Sequence, residues 1–257
     1  SPFLPYGVPG VLKGAAYIFF AYIGFDSVST HAEEARNPQR DVPIGIIASL
    51  GICTVLYVLV AIVLTGMVPY KQIDLDAPVA AAFAAHGQKA TVLLVSVGAV
   101  AGITSVLLVL LLSQSRVLLA MARDGLLPPS FGEVHPRYRT PHKATIVTAI
   151  VVAAVAATFP LKILADLVNI GTLMAFVVVC AAVLVMRRSN PDLPRPFRTP
   201  LVPFVPILGI IMNLIMMFSL GWENWLRLFV WLGIGMAIYF GYGRRRSVLA
   251  QQRSSVG

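Results

Sequence analysis

Residues Gly14 to Thr30, GAAYIFFAYIGFDSVST, put polar chemistry in the middle of an apolar run. Gly24 loosens the backbone, Asp26 adds a carboxyl, and Ser27, Ser29 and Thr30 follow. A helix that merely crosses lipid gains nothing from such a centre. Gly costs about 1 kcal/mol relative to Ala in a helix interior. A central Asp costs about 2.5–3.5 kcal/mol more on insertion scales. This is tolerated where a helix unwinds and its freed carbonyls and amides line a small polar cavity. The stretch therefore predicts a binding site inside a membrane. With unwinding near Tyr22–Phe25, the half-helix starting near Asp26 offers amides to a carboxylate, and the outer half offers its last carbonyls to an ammonium. One break can help hold a zwitterion, so an amino acid is a natural ligand.

Each residue here has a plainer role beside the chemical one. Phe20, just outside the break, is either a thin aromatic gate or packing surface. Asp26 is either a cap for the inner half-helix or another structural hydrogen-bonding group, or it couples a proton or an ion, and the roles are compatible. Thr104 and Ser105 lie in the middle of another apolar run; they bond back to their own helix or help hold a ligand or cation. Glu33 and Glu34 are expected to pair with loop cations such as Arg36 and Arg40 rather than to form a catalytic pair. His31, His86, His135 and His142 have no ligand spacing. Cys53 and Cys180 sit in separate apolar runs, so neither a disulfide nor a metal cluster is expected. There is no Walker loop, GxSxG or HExxH, so neither an enzyme nor an ATP-driven pump is predicted. No cofactor is expected; a proton or sodium gradient would be the source of coupling.

The elements that must position these residues follow from hydropathy. The chain has 257 residues, of which 58% are hydrophobic and 12% charged, with mean hydropathy +0.82. Soluble domains carry roughly 25% charged residues. The reading is an all-α, polytopic transmembrane helical bundle in a single domain over 1–257. Spans are expected at 14–32, 44–68, 90–121, 144–161, 167–186, 201–222 and 225–243, the first of them discontinuous, with a polar tail at 244–257. Residues 1–13 read as a Pro/Gly-rich interfacial lead-in and 69–89 as a loop. Gly125 is a good helix C-cap ahead of Pro128 and Pro129. The opening SPFLPYGVPG lacks an initiator Met and a basic leader, which suggests a fragment whose N-terminal part is missing.

Seven spans put the two ends on opposite sides. The connectors at 31–43, 130–143 and 187–200 and the tail, together with Arg123, carry 14 of the 20 basic residues, while Lys13, Lys71, Lys89, Lys162 and Arg227 fall on the other face. By the positive-inside rule the C-terminus is cytoplasmic. The net charge of +9 is then a matter of topology, and no nucleic-acid partner is expected.

FFAYIGFDSVSTHAEEARNPQRDVPIGI closely resembles the sixth transmembrane segment and following loop of amino acid permeases in the amino acid–polyamine–organocation superfamily. SQSRVLLAMARDGLLPPSF resembles the end of their eighth segment. RPFRTPLVPFVPILGI and WLRLFVWLGIGMAIYFGYG resemble the eleventh and twelfth segments of the cationic amino acid transporter branch. The resemblance implies a LeuT-like inverted-repeat fold, of which this chain covers segments six to twelve. Segments one to five, with their own broken helix and a lysine linked to proton coupling, would be its partners in the same protein. It further implies that Phe20 is the gating aromatic, that Ala21 and Ile23 meet the substrate amino group with Tyr22 and Gly24 between and beside them, and that Asp26 lies next to the site. The expected function is secondary transport of L-amino acids by alternating access across a plasma membrane, as a proton-coupled carrier or an exchanger. A non-transporting nutrient sensor on the same fold is the alternative, and a channel is a third.

Overall fold

The computed structural model describes residues 5–30, 32, 35–195 and 197–247, with the backbone alone at Arg245. The described residues form helices and turns, without strands. Among the described residues, nine α-helices of four residues or more carry the fold: α1 Gly7–Tyr22, α2 Ser27–Thr30, α3 Pro38–Met67, α4 Pro78–Ala85, α5 Lys89–Arg123, α6 His142–Thr158, α7 Leu161–Ser189, α8 Phe204–Ser219 and α9 Trp222–Ile238. Five segments are long and apolar enough to cross a membrane: Gly7–Thr30 with its interruption, Pro38–Met67, Lys89–Arg123, Leu161–Ser189 and Trp222–Gly243. Helices α6 and α8 are apolar but shorter, at 17 and 16 residues. Large apolar side chains such as Val55, Leu56, Leu94 and Leu107 point outward, as they must where lipid replaces water. The chain is part of a multi-pass membrane protein.

Two features differ from the sequence reading. The interfacial lead-in is already helical from Gly7, although Pro9 and Gly10 lie there. A first-turn proline costs little, because its missing N–H would have had no partner inside the helix. The loop at 69–89 contains α4, PVAAAFAA, with proline at its start. Asp74 sets up that helix by accepting the N–H groups of Asp76 and Ala77 at 2.8 and 2.9 Å, and these bonds hold its carboxyl below the usual carboxylate range.

The helices pack in two groups. In one, α1 lies against α7 and α8, and α7 against α8 and α9. Its core is Ala16, Ile170, Leu173, Met217, Leu220 and Leu228, with Phe19 and Trp225 against it. In the other, α2 touches α3 and α5, and α5 supports α4 and α6. The two halves of the interrupted span thus belong to different groups.

Three local devices fix the ends. Helix α5 closes with Gly125 at φ +75; the amide of Leu126 donates to Met121 O at 2.9 Å and that of Gly125 to Ala122 O at 3.1 Å. This is the paired-bond terminus that glycine favours. The same Gly125 packs under the Arg246 carbonyl just past α9, where a Cβ would collide with it. At the opposite end of α9, Arg227 donates to Asn224 Oδ1 at 2.6 Å and lies 3.8 Å from Asp166 Oδ2 on α7. Asp166 is 7% exposed and Asn169, one turn on, is fully buried.

Arg227→Leu should lower stability by about 1–3 kcal/mol, since it leaves the Asp166 carboxylate buried without a counter-charge. Thermal unfolding in detergent reads this. Adding Asp166→Asn should restore part of the loss, and strict additivity of the two changes would show that the residues are not coupled. Gly125→Ala should cost at least about 1 kcal/mol, from the positive φ and the Arg246 contact together.

Candidate functional site

Helical geometry stops at Tyr22 and resumes at Ser27, leaving Ile23–Asp26 as an irregular link. Ile23 is extended, at φ −60° and ψ 130°. Gly24 has φ +124°, a conformation that side-chain-bearing residues rarely adopt. Space does not explain this glycine, because a Cβ there would meet nothing within 4 Å. Backbone conformation does.

The link is held by its own polar groups. Asp26 Oδ1 accepts the N–H of Gly24 at 3.1 Å. The carboxylate thus makes a structural hydrogen bond backward across the link. Ser27 Oγ donates to Gly24 O at 2.6 Å, and Ser29 Oγ to Asp26 O at 2.6 Å. From α3, the Tyr57 hydroxyl donates to Ala21 O at 2.9 Å. After these bonds, the carbonyls of Tyr22 and Ile23 and the amides of Phe25 and Asp26 have no partner among the described residues. Such groups are costly inside a bilayer unless something else satisfies them.

Aromatic pairs brace the link on two sides. Tyr22 meets Tyr57 edge-on at 5.1 Å. Phe176 of α7 lies between Phe19, at 5.8 Å, and Phe25, at 5.5 Å. A cavity of about 290 Å³ opens beside the link. Its walls are the link itself, from Ala21 to Phe25, with Ser27 and Val28; one face of α3, with Ser49, Leu50, Cys53 and Tyr57; and one face of α5, with Ser105, Val106, Val109 and Leu110.

The structure therefore brings Ala21, Tyr22, Ile23, Gly24 and Ser105 to a single cavity. Phe20 is 43% exposed and lies one turn before the link, outside that lining. Asp26 is half-buried and turned to Gly24, also outside it. Thr104 bonds back to Val100 O at 2.8 Å and does not reach the cavity. His135 and His142, read as dispersed, meet edge-on at 5.1 Å, His135 in the α5–α6 connector and His142 at the start of α6. The pairing expected for Glu33 and Glu34 lies outside the described residues. Sequence reasoning missed Tyr57, Cys53 and Phe176. Tyr57 and Cys53 stand one turn apart in a long apolar helix, so a polar hydroxyl at that spacing was the available signal.

Residues 1–239 match the family described as amino acid permease. The chain is 48% identical to the methylthioribose transporter of Bacillus subtilis over 97% of its own length. It is equally 48% identical, over 98% of its length, to that organism's branched-chain amino acid permease. It spans 54% of the length of both relatives. Against the vacuolar cationic amino acid transporter 2 of Arabidopsis thaliana it is 47% identical over 74% of this chain and 30% of the relative.

Tyr57→Phe should free the Ala21 carbonyl at a cost of about 0.5–1.5 kcal/mol. Amide exchange across 21–27 should then quicken several-fold while exchange in α7 and α8 stays as it was. Unchanged exchange at the link would show that the hydroxyl does not hold it. Gly24→Ala should destabilise the protein by about 1 kcal/mol or more, despite the open space around it.

Proposed function

We propose that this chain, which belongs to the amino acid permease family, is the C-terminal part of a secondary transporter of L-amino acids, equivalent to segments six to twelve of a LeuT-like fold. Its substrate binds at the link between α1 and α2. One observation carries the reading: the carbonyls of Tyr22 and Ile23 and the amide of Phe25, which have no partner among the described residues, belong to residues that line a cavity within an apolar span.

An ammonium group suits the Tyr22 and Ile23 carbonyls, and the Ala21 carbonyl keeps a lone pair beside its bond to Tyr57. The substrate carboxylate falls to the segments upstream, where the resemblance puts a second broken helix. Those segments are the proposed partners within the same protein. Phe20, on the turn leading into the link, closes over the ligand. Asp26 ties its own charge state to the shape of the link through Gly24, which suits coupling to a proton gradient or to exchange. The split packing of α1 and α2 supports alternating access, because motion between the two helix groups is felt at the link. All seven apolar helices cross, in a plasma membrane, with the basic connectors and the C-terminus on the cytoplasmic side.

The test is uptake of labelled amino acids into proteoliposomes holding the complete protein. Phe20→Ala and Asp26→Asn should each cut uptake at least ten-fold with the protein still folded by thermal unfolding. If both variants transported normally, the site assignment would be wrong. Binding of amino acids without any movement across the bilayer would instead favour a sensor.

A further inference from the structure

Helix α7 carries a polar cluster that the link does not use. Asn169 is fully buried, and Asp166, one turn before it, is 7% exposed. Neither the nitrogen nor the oxygen of the Asn169 amide has a partner among the described residues, and nor has Asp166 Oδ1. The asparagines of α8 and α9 behave differently. Asn213 donates to Gly209 O at 2.7 Å and Asn224 to Leu220 O at 2.8 Å, each four residues back on its own helix. Asn169 does not make that bond. A desolvated amide and half a carboxylate without hydrogen bonds are costly, and a leucine of similar size would carry no such cost. Buried groups of this kind call for a small polar guest.

The set of atoms specifies the guest. It offers two acceptors, Asp166 Oδ1 and Asn169 Oδ1, and one donor, Asn169 Nδ2. A cation would suit the oxygens but would meet the hydrogens of Nδ2. It would also stand near the Arg227 guanidinium, which lies 3.8 Å from Asp166 Oδ2. An anion is repelled by the carboxylate. Water both donates and accepts, and internal waters make about three hydrogen bonds to groups like these. A way in is present as well. A cavity of about 690 Å³ lies at this end of the helix group. Tyr17 of α1, Lys162 and Asp166 of α7, and Glu223, Asn224 and Arg227 of α9 share its lining. Asp166 therefore stands between an open cavity and the buried amide one turn deeper.

We propose that Asp166 and Asn169 form a binding site for internal water, supplied from this cavity. The water completes the polar cluster that joins α7 to α9 around Arg227. The proposal is independent of the carrier reading above.

A density map of the complete protein in lipid nanodiscs tests it directly. At about 2 Å resolution it should show a peak within about 2.6–3.2 Å of both Asp166 Oδ1 and Asn169 Nδ2. Asn169→Leu supplies a second readout. It exchanges a buried amide for apolar surface of similar size, which would stabilise a dry site. With water bound, the leucine expels it and strands Asp166 Oδ1, so Tm should fall by at least about 2 °C. Asn169→Ser, which keeps a hydroxyl and leaves room for water, should lose less. An unchanged or raised Tm in Asn169→Leu would overturn the proposal. So would a map in which the amide and carboxylate bond directly to protein groups, or one with no peak between them. Sodium raising Tm over choline, in the parent protein but not in Asn169→Leu, would assign the place to a cation and overturn it too. Should Asn169→Leu fail to fold, the map decides alone.

Discussion

A peptide group inside a bilayer has no water to turn to. Everything about the first span follows from that constraint. A continuous helix would satisfy each N–H and C=O internally, yet the chain stops its helix at Tyr22 and restarts at Ser27. The irregular link survives because its groups are rationed among nearby partners. The Asp26 carboxylate takes the Gly24 amide, two serine hydroxyls take link carbonyls, and Tyr57 reaches across from α3 for Ala21. Of the residues left with unpaired groups, Tyr22, Ile23 and Phe25 line a cavity. In this environment an unpaired peptide group is the feature that asks for a ligand.

The same link is where the two helix groups join. Helix α1 is buried against α7 and α8, while α2 rests on α3 and α5. Phe176 grips the link from the α7 side through Phe19 and Phe25, and Tyr57 grips it from the α3 side through Tyr22. A stiff helix across this joint would force the groups to move as one. A four-residue link with glycine at its centre lets one group turn against the other. The irregular link and the joint between the two helix groups are therefore the same place.

Much of this was legible in the chain. Gly24 and Asp26 are costly in lipid, and cost without packing benefit is a strong local signal. Gly125 before two prolines likewise marked the end of α5, and the bonds there are those that glycine allows. Other features were not legible, for physical reasons. Tyr57 lies 36 positions from its partner Ala21, and only tertiary packing joins them. Phe176 is one aromatic among 13 phenylalanines until α7 is laid against α1. Helix α4 hid because eight residues between an Asp-rich turn and His86 resemble a loop by composition. The direction of Asp26 was also hidden: a carboxylate before a helix reads as its cap, but the extended Ile23 and the positive φ of Gly24 bring the amide behind it within reach first.

The uneven charge of the chain shows how topology and packing divide the work. Most basic residues fall in the connectors and the tail, and some are engaged there: Arg195 donates to the carbonyls of Met186 and Pro191, and Lys143 pairs with Glu133. Arg227, near the start of α9, is engaged too, donating to Asn224 and lying between Asp166 and Glu223. This cation stands where a buried carboxylate would otherwise be alone. Asp166 in turn sits one turn from the buried Asn169 on the face of α7 that meets α1 and α9. Seen this way, one end of the α1–α7–α9 group is fixed by a polar knot and its middle by an apolar core. That leaves Ile23–Asp26 as the one stretch of the first span without helical backbone bonding.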